Sequence, residues 1–281
     1  MRHVKPALCA LAALCLFALS ACGGAGERGL DGAQEKLSNV GSLSCGVETD
    51  MGLSLAGESF NIKSSCRVDY TSEPAAVCLR VSTDMGRLGT SGYTAYAASS
   101  GGLYSAYIQL PGTWVRQDLS GAEALERYDI RLASKRWLGG AANVTDAGEE
   151  ELDGQKVRRY DLAVSAKAVD GIMKASGAYE ALSVLDITDA AARELLSGLG
   201  EIPLSVWVGE QGFPLRYELD LTGVMGALMD AVAGTLGGDY PAMTVEGLTV
   251  SLSLSDFDAV PAIEIPSEAL GAQPLEGEDL F

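Results

Sequence analysis

The sequence predicts an α+β fold, a long and strongly curved antiparallel sheet with helices lying on one of its faces. Two observations carry this reading. Apolar and polar residues alternate with period two over several long runs, which buries one face of a strand and wets the other. Turn signals join those runs directly, as in an antiparallel meander. The chain has no alternating strand–helix rhythm and no Gly-rich phosphate loop after a strand, so a parallel doubly wound sheet is excluded.

The clearest alternation comes first: Leu43, Cys45, Val47, Thr49, Met51, Leu53 and Leu55 share one parity. After Ala56-Gly57-Glu58-Ser59, the same period continues in Phe60, Ile62, Ser64, Cys66, Val68 and Tyr70. It resumes after Pro74 in Val77, Leu79, Val81, Thr83 and Met85. Further strands are expected at Gly92–Ser99, Leu103–Leu110 and Thr113–Gln117, and a helix over Glu123–Trp137. Strands Asn143–Leu152 and Gln155–Ser165 turn at Asp153-Gly154, a hairpin dipeptide that tolerates positive φ. Helices are expected over Ala168–Leu182 and Asp189–Leu199. A second hairpin, Ile202–Gly209 and Phe213–Thr222, turns at Glu210-Gln211-Gly212. Met225, Leu228, Met229, Val232 and Leu236 form an apolar stripe at helical spacing, and Val245–Phe257 is the last long strand. A short helix is expected over Ala33–Asn39, and no internal repeat is evident.

The N-terminus reads as an export signal. A basic Met1-Arg2-His3-Val4-Lys5 precedes an uncharged run from Pro6 to Leu19. That run is shorter than the roughly 20 apolar residues a spanning helix needs and suits a signal peptide. It ends in Leu19-Ser20-Ala21-Cys22-Gly23-Gly24, which resembles a bacterial lipobox. The resemblance implies a diacylglyceryl group on Cys22, and two acyl chains anchor stably where one does not. An ordinary secreted protein cleaved nearby is the plain alternative. The expected division is signal peptide 1–21, tether 22–32, one domain 33–270 and an acidic tail 271–281.

Without Arg2 and Lys5 the mature chain has 18 basic against 38 acidic residues, a formal charge of −20. No basic patch remains, which argues against nucleic-acid binding, and anionic lipid headgroups are repelled. The membrane is therefore a partner through the lipid on Cys22. The sole histidine, His3, leaves with the signal. This excludes His-dependent triads and His-ligated metals from the mature chain. With no nucleophile elbow, Walker loop or metal motif, a non-enzymatic protein without cofactor or metal is expected. A glycan-active enzyme would need two carboxylates facing each other at ~5–10 Å. Glu149-Glu150-Glu151, Asp256 and Asp258 read as solvated acids. Cys45, Cys66 and Cys78 remain beside the anchor. Cys45 and Cys66 fall on the inward parity of neighbouring strands and Cys78 on the outward one. A Cys45–Cys66 pair is thus the one disulfide to consider, and buried thiols fit equally.

Several segments resemble one family. The lipobox and polar tether lead into a short helix and meandering strands carrying Tyr104, Tyr107 and Gly112-Thr113-Trp114-Val115-Arg116. A hairpin opens at Val206-Trp207-Val208-Gly209-Glu210-Gln211-Gly212-Phe213-Pro214-Leu215-Arg216, and Val260-Pro261-Ala262-Ile263-Glu264-Ile265-Pro266 resembles a closing strand and its Pro. These features are similar to LolA-like lipoproteins of Gram-positive bacteria, with LppX-type lipoproteins and the LolA and LolB carriers as relatives. The resemblance implies an open half-barrel with helices plugging its concave side, and acyl chains or lipidated cargo bound between them.

The inward positions are therefore candidates for lining an apolar, concave ligand site: Val47, Met51, Leu53, Ile62, Val68, Leu79, Val81, Tyr217, Leu219, Met225 and Met229. The two methionines are flexible enough to repack around varied ligands. All these residues would sit inside a plain core equally well. A deep cavity favours a lipid ligand, and a filled core favours an envelope interaction or sensing module.

Overall fold

A computed structural model describes residues 28–55, 57–86, 89–100, 103–119, 121, 123–126, 128–165, 168–171, 188–198, 201–236 and 243–274. The lipidation candidate Cys22 and the signal-peptide reading lie outside these residues. So do most of the tether and of the helix expected over 168–182, and the end of the acidic tail.

Helix α1 (Arg28–Ser38) precedes six strands in a meander: β1 (Ser42–Leu55), β2 (Glu58–Ser72), β3 (Ala75–Asp84), β4 (Thr90–Ser100), β5 (Leu103–Leu110) and β6 (Thr113–Leu119). Helices α2 (Glu123–Glu126) and α3 (Ile130–Gly139) follow, then the hairpin β7 (Ala141–Leu152) and β8 (Gln155–Val164). After α4 (Asp189–Gly198) come β9 (Ile202–Gly209), β10 (Pro214–Asp220), α5 (Thr222–Leu236) and β11 (Met243–Ser255). The described chain ends with α6 (Ser267–Leu270) and the two-residue β12 (Gln273–Pro274).

The twelve described strands form one sheet in the order β12-β6-β5-β4-β3-β2-β1-β11-β10-β9-β8-β7. Every pair is antiparallel except β12 on β6. The strands at the two ends of the order do not pair with each other, so the sheet is open. The long-range join lies in the middle, where β1 meets β11 with Val47 opposite Leu252 and Met51 opposite Leu248.

Period two decides which side is buried. On β1 the burial pattern alternates along most of the strand, with Leu43, Cys45, Val47, Met51 and Leu53 buried. The matching parities of the other strands meet them across the ladder and form one hydrophobic cluster. Leu30 and Leu37 of α1, Ile130 and Trp137 of α3, and Met225 and Leu228 of α5 belong to that same cluster. Burial of this kind stabilises by about 25 cal/mol per Å² of apolar surface removed from water.

Several expectations are corrected. Helix α1 begins at Arg28, inside the segment read as tether, because Leu30, Ala33 and Leu37 give it a buried stripe. The helix expected over Glu123–Trp137 divides in two. Asp129 accepts the Arg131 backbone N–H at 2.9 Å, the side-chain cap that starts a helix. Residues 260–266 are not a closing strand. Pro261 and Pro266 lack the N–H a ladder needs, and the segment lines a depression on the polar face with Cys78 and Tyr96. Gln273 and Pro274, placed by sequence in the tail, belong to the sheet.

The Cys45–Cys66 disulfide is not formed, and all three cysteines are free and buried. The register explains it: Cys66 stands opposite Val47, while Cys45 stands opposite Val68. Cys78 faces the polar side as its parity predicts, opposite Asp69 and Tyr96, yet it is buried there.

Candidate functional site

Val47, Met51, Leu53, Val68, Leu79, Val81, Tyr217, Leu219 and Met225 are all buried, and all belong to the one apolar cluster. Ile62 and Met229 are partly buried and pack against it. The ladders bring several of them side by side. Val47 lies between Cys66 and Leu252, and those residues pair onward with Val81 and Tyr217. Met51 faces Ile62 on one side and Leu248 on the other. Met225 and Met229 stand one helical turn apart on α5, which packs against β11. This placement is common to a ligand site and to a plain core, so internal space has to distinguish them.

Beneath α3 a cavity of ≈ 10 Å³ is lined by Ile130, Trp137, Leu204, Tyr217, Leu219 and Leu252, with Ser134. That is room for about one water molecule. Of the polar atoms around it, Trp137 Nε1 is buried without a partner, while Ser134 Oγ and the Tyr217 hydroxyl are partnered. Ser134 Oγ donates to Gln34 Oε1 at 2.6 Å, so the hydrogen bond it shares with Tyr217 has the phenol as donor. Burial pushes the Tyr217 phenol far up, with Ser134 opposing and the nearby Cys45 thiol adding to the rise. Tyr217 therefore stays neutral.

The apolar face is not covered to its end. Leu55 and Phe60 at the β1–β2 turn, Tyr93 near the β3–β4 turn and Leu110 at the β5–β6 turn are 37, 39, 39 and 37 % exposed. All four carry the inward parity of their strands: Leu53 pairs with Phe60, Val81 with Tyr93, and Ile108, two residues before Leu110, with Ala95. These three turns lie at one end of the meander. The sequence marked the parity of Leu55 and Phe60, but not that their surroundings leave them open.

The larger depressions lie on the polar face and are charged. One of ≈ 440 Å³ is lined by Arg67, Asp69, Arg80 and Asp256 beside residues 259–264. Its arginines are matched internally, with Asp69 taking Arg67 at 3.1 Å and Arg80 at 2.7 Å. Burial alone would raise the Asp69 carboxyl; hydrogen bonds from Ser44 and Arg80 and the Arg67 charge hold it below its ordinary value. A trough of ≈ 760 Å³ is lined mainly by Ser, Thr, Gly and paired charges of β1, β2, β10 and β11. Among the described residues no His/Cys/Asp/Glu group could hold a metal ion. None of the described helices is long and apolar enough to cross a membrane.

No family model matches the chain, and none of the curated proteins compared with it matches. Solved structures are similar to it. The lipoprotein LppX of Mycobacterium tuberculosis is 13 % identical, with a TM-score of 0.46 over 84 % of this chain and 96 % of that one. LprF of Mycobacterium bovis is 16 % identical, with a TM-score of 0.48 over 86 % and 96 %. A LolA superfamily protein of Nitrosomonas europaea is 9 % identical, with a TM-score of 0.24 over 84 % and 93 %. These neighbours are of the LolA-like and LppX-type group that the sequence resembles. The fold described here stands on the strand order and burial of this chain.

Proposed function

We propose that this protein is a lipoprotein, anchored by a diacylglyceryl group on Cys22 at the extracytoplasmic face of the bacterial cell membrane. It takes an apolar ligand, a lipid or acyl chain, between a curved half-barrel sheet and helices on its concave face. One observation carries this reading. The apolar face continues beyond its buried core to three hairpin ends, where Leu55, Phe60, Tyr93 and Leu110 stay open on that same face. An apolar molecule entering there would meet Met51, Leu53, Ile62 and the flexible Met225 and Met229 next. Extraction of the protein purified from its own host, followed by lipid mass spectrometry, tests it. A co-purified lipid, and binding of an apolar dye that this lipid displaces, is the expected result. No lipid and no dye binding sinks the proposal.

A second reading has its own observation. The ≈ 10 Å³ cavity beneath α3 is what a filled core looks like, and it favours an envelope interaction module without a small-molecule ligand. The same extraction separates the two readings.

A further inference from the structure

We propose that the three hairpin ends of β1–β2, β3–β4 and β5–β6 form a membrane-contacting rim that rests on the outer leaflet of the bilayer to which the chain is anchored. This rests on the Cys22 anchor of the function proposed above, and it does not require a bound ligand.

The rim has the chemistry of an interfacial surface. It presents two leucines, a phenylalanine and a tyrosine, all more than a third exposed. Aromatic and leucine side chains are the residues that settle at the boundary between headgroups and acyl chains. Each hairpin turns on a glycine with positive φ: Gly57 at 85°, Gly89 at 95° and Gly112 at 83°. A Cβ built at any of the three meets nothing within 4 Å, so no other described part of the chain packs on these three glycines. Single exposed apolar residues are ordinary; here three consecutive hairpins carry them at one end and on one face.

The length of chain between Cys22 and α1 fits. Only five residues lie between Cys22 and Arg28, where α1 begins, a reach of about 20 Å at full extension. Helix α1 starts against the middle of β8, where Gly29 meets Tyr160. It runs toward the β9–β10 turn, where Lys36 donates to the Gln211 carbonyl and covers the Phe213 ring at 4.6 Å. The β9–β10 turn is at the end of the sheet opposite the three hairpins, because β10 runs antiparallel to β11 and β11 antiparallel to β1. The N-terminus of α1 is thus the end turned toward the rim. Electrostatics does not assist: Glu58 shares the rim, and the formal charge of the whole chain is −18. The contact is therefore apolar, and zwitterionic phosphatidylcholine vesicles are the appropriate surface.

The test uses the full chain, made in a host that processes lipoproteins and reconstituted into phosphatidylcholine vesicles with brominated acyl chains, which quench nearby tryptophan. Phe60→Trp and Leu110→Trp place an indole on the rim. Leu103→Trp places one on an exposed site at the opposite end of the meander. Quenching and a blue shift beyond the wild-type baseline are expected for the two rim variants and not for Leu103→Trp. A wild-type chain that floats with the vesicles while the rim variants match its baseline overturns the rim and leaves the anchor standing. Equal quenching of Leu103→Trp also overturns it. A wild-type chain that fails to float overturns the anchor and this proposal with it. A dimer in detergent that Leu55→Ser/Phe60→Ser dissociates would assign the rim to a second copy and overturn the membrane contact. Dye binding in detergent reads the ligand proposal separately.

Discussion

At the residue scale, the most demanding group in the interior is Arg131. Its guanidinium holds Asp129 bidentately at 2.9 and 2.7 Å, the Val40 carbonyl at 2.6 Å and the Tyr70 hydroxyl at 2.7 Å. Tyr70 in turn donates to Asp129 at 3.1 Å. Burial, with the adjacent Asp129 charge, pushes the Tyr70 phenol up to about 12, so it keeps its proton at neutral pH. The set joins α3, β2 and the second residue after α1 through one cation. Removing its counter-charge leaves that cation largely buried and unpaired. Asp129→Ala is expected to cost about 3–5 kcal/mol, read from the urea midpoint at constant m-value. A loss below 1 kcal/mol would mean that water replaces the carboxylate. None of this was legible in the sequence, where Asp129 falls inside a run that reads as one continuous helix. The cap and the ion pair join residues two apart, but Tyr70 and Val40, which complete the set, lie 59 and 91 residues away, where local periodicity does not reach.

At the element scale, the polar face has an order of its own. Arg67–Asp69, Arg116–Asp118, Arg159–Asp161 and Arg216–Glu218 are ion pairs between residues two apart on one strand. Period two places such residues on the same side. Each pair is partly exposed and worth at most about 1 kcal/mol. They also relieve cross-strand repulsion, since Arg67 stands directly opposite Arg80 and Asp69 serves both. Close strand approach is tightest at Gly92, where a Cβ would lie 2.6 Å from the Val81 carbonyl oxygen. That neighbour is backbone and cannot swing away. Gly92→Ala is expected to lose about 1–3 kcal/mol by overpacking and to loosen β3 from β4. Hydrogen exchange should show faster amides on those two strands, and unchanged exchange would contradict the clash. The Asp153-Gly154 hairpin, by contrast, was fully legible: both residues take positive φ, 51° and 78°, as that dipeptide favours.

At the scale of the whole molecule, acid should unfold the protein through its paired carboxylates. Asp50 is held low by the Lys63 and Asn61 side chains. Asp146 is held low by Arg158, and Asp256 by Ser255, Ser44 and Arg67; Asp69 joins them, as described above. A carboxylate whose folded value lies below its unfolded value of about 3.9 adds stability above that pH and loses it as pH falls through the folded value. Stability is therefore expected to hold from neutral pH to about pH 4 and to decline below it. Asp69→Asn should make that decline shallower while lowering the neutral plateau. Chemical denaturation between pH 7 and pH 3 measures both, and an unchanged acid slope would remove Asp69 from the account.

The sequence by itself determined the antiparallel meander, its hairpins and which side chains of β1, β2 and β3 face inward. Each of these follows from period two and turn chemistry, which act over a few residues. Only the tertiary structure decided that β1 pairs with β11, some 200 residues later. It also decided that Cys66 stands beside Val47 rather than Cys45, that the space under α3 is nearly full, and that Leu55, Phe60, Tyr93 and Leu110 are left uncovered. Periodicity assigns a side chain to a face. Whether that face is filled, hollow or open depends on elements that arrive from elsewhere in the chain, and their packing is not written in any one strand.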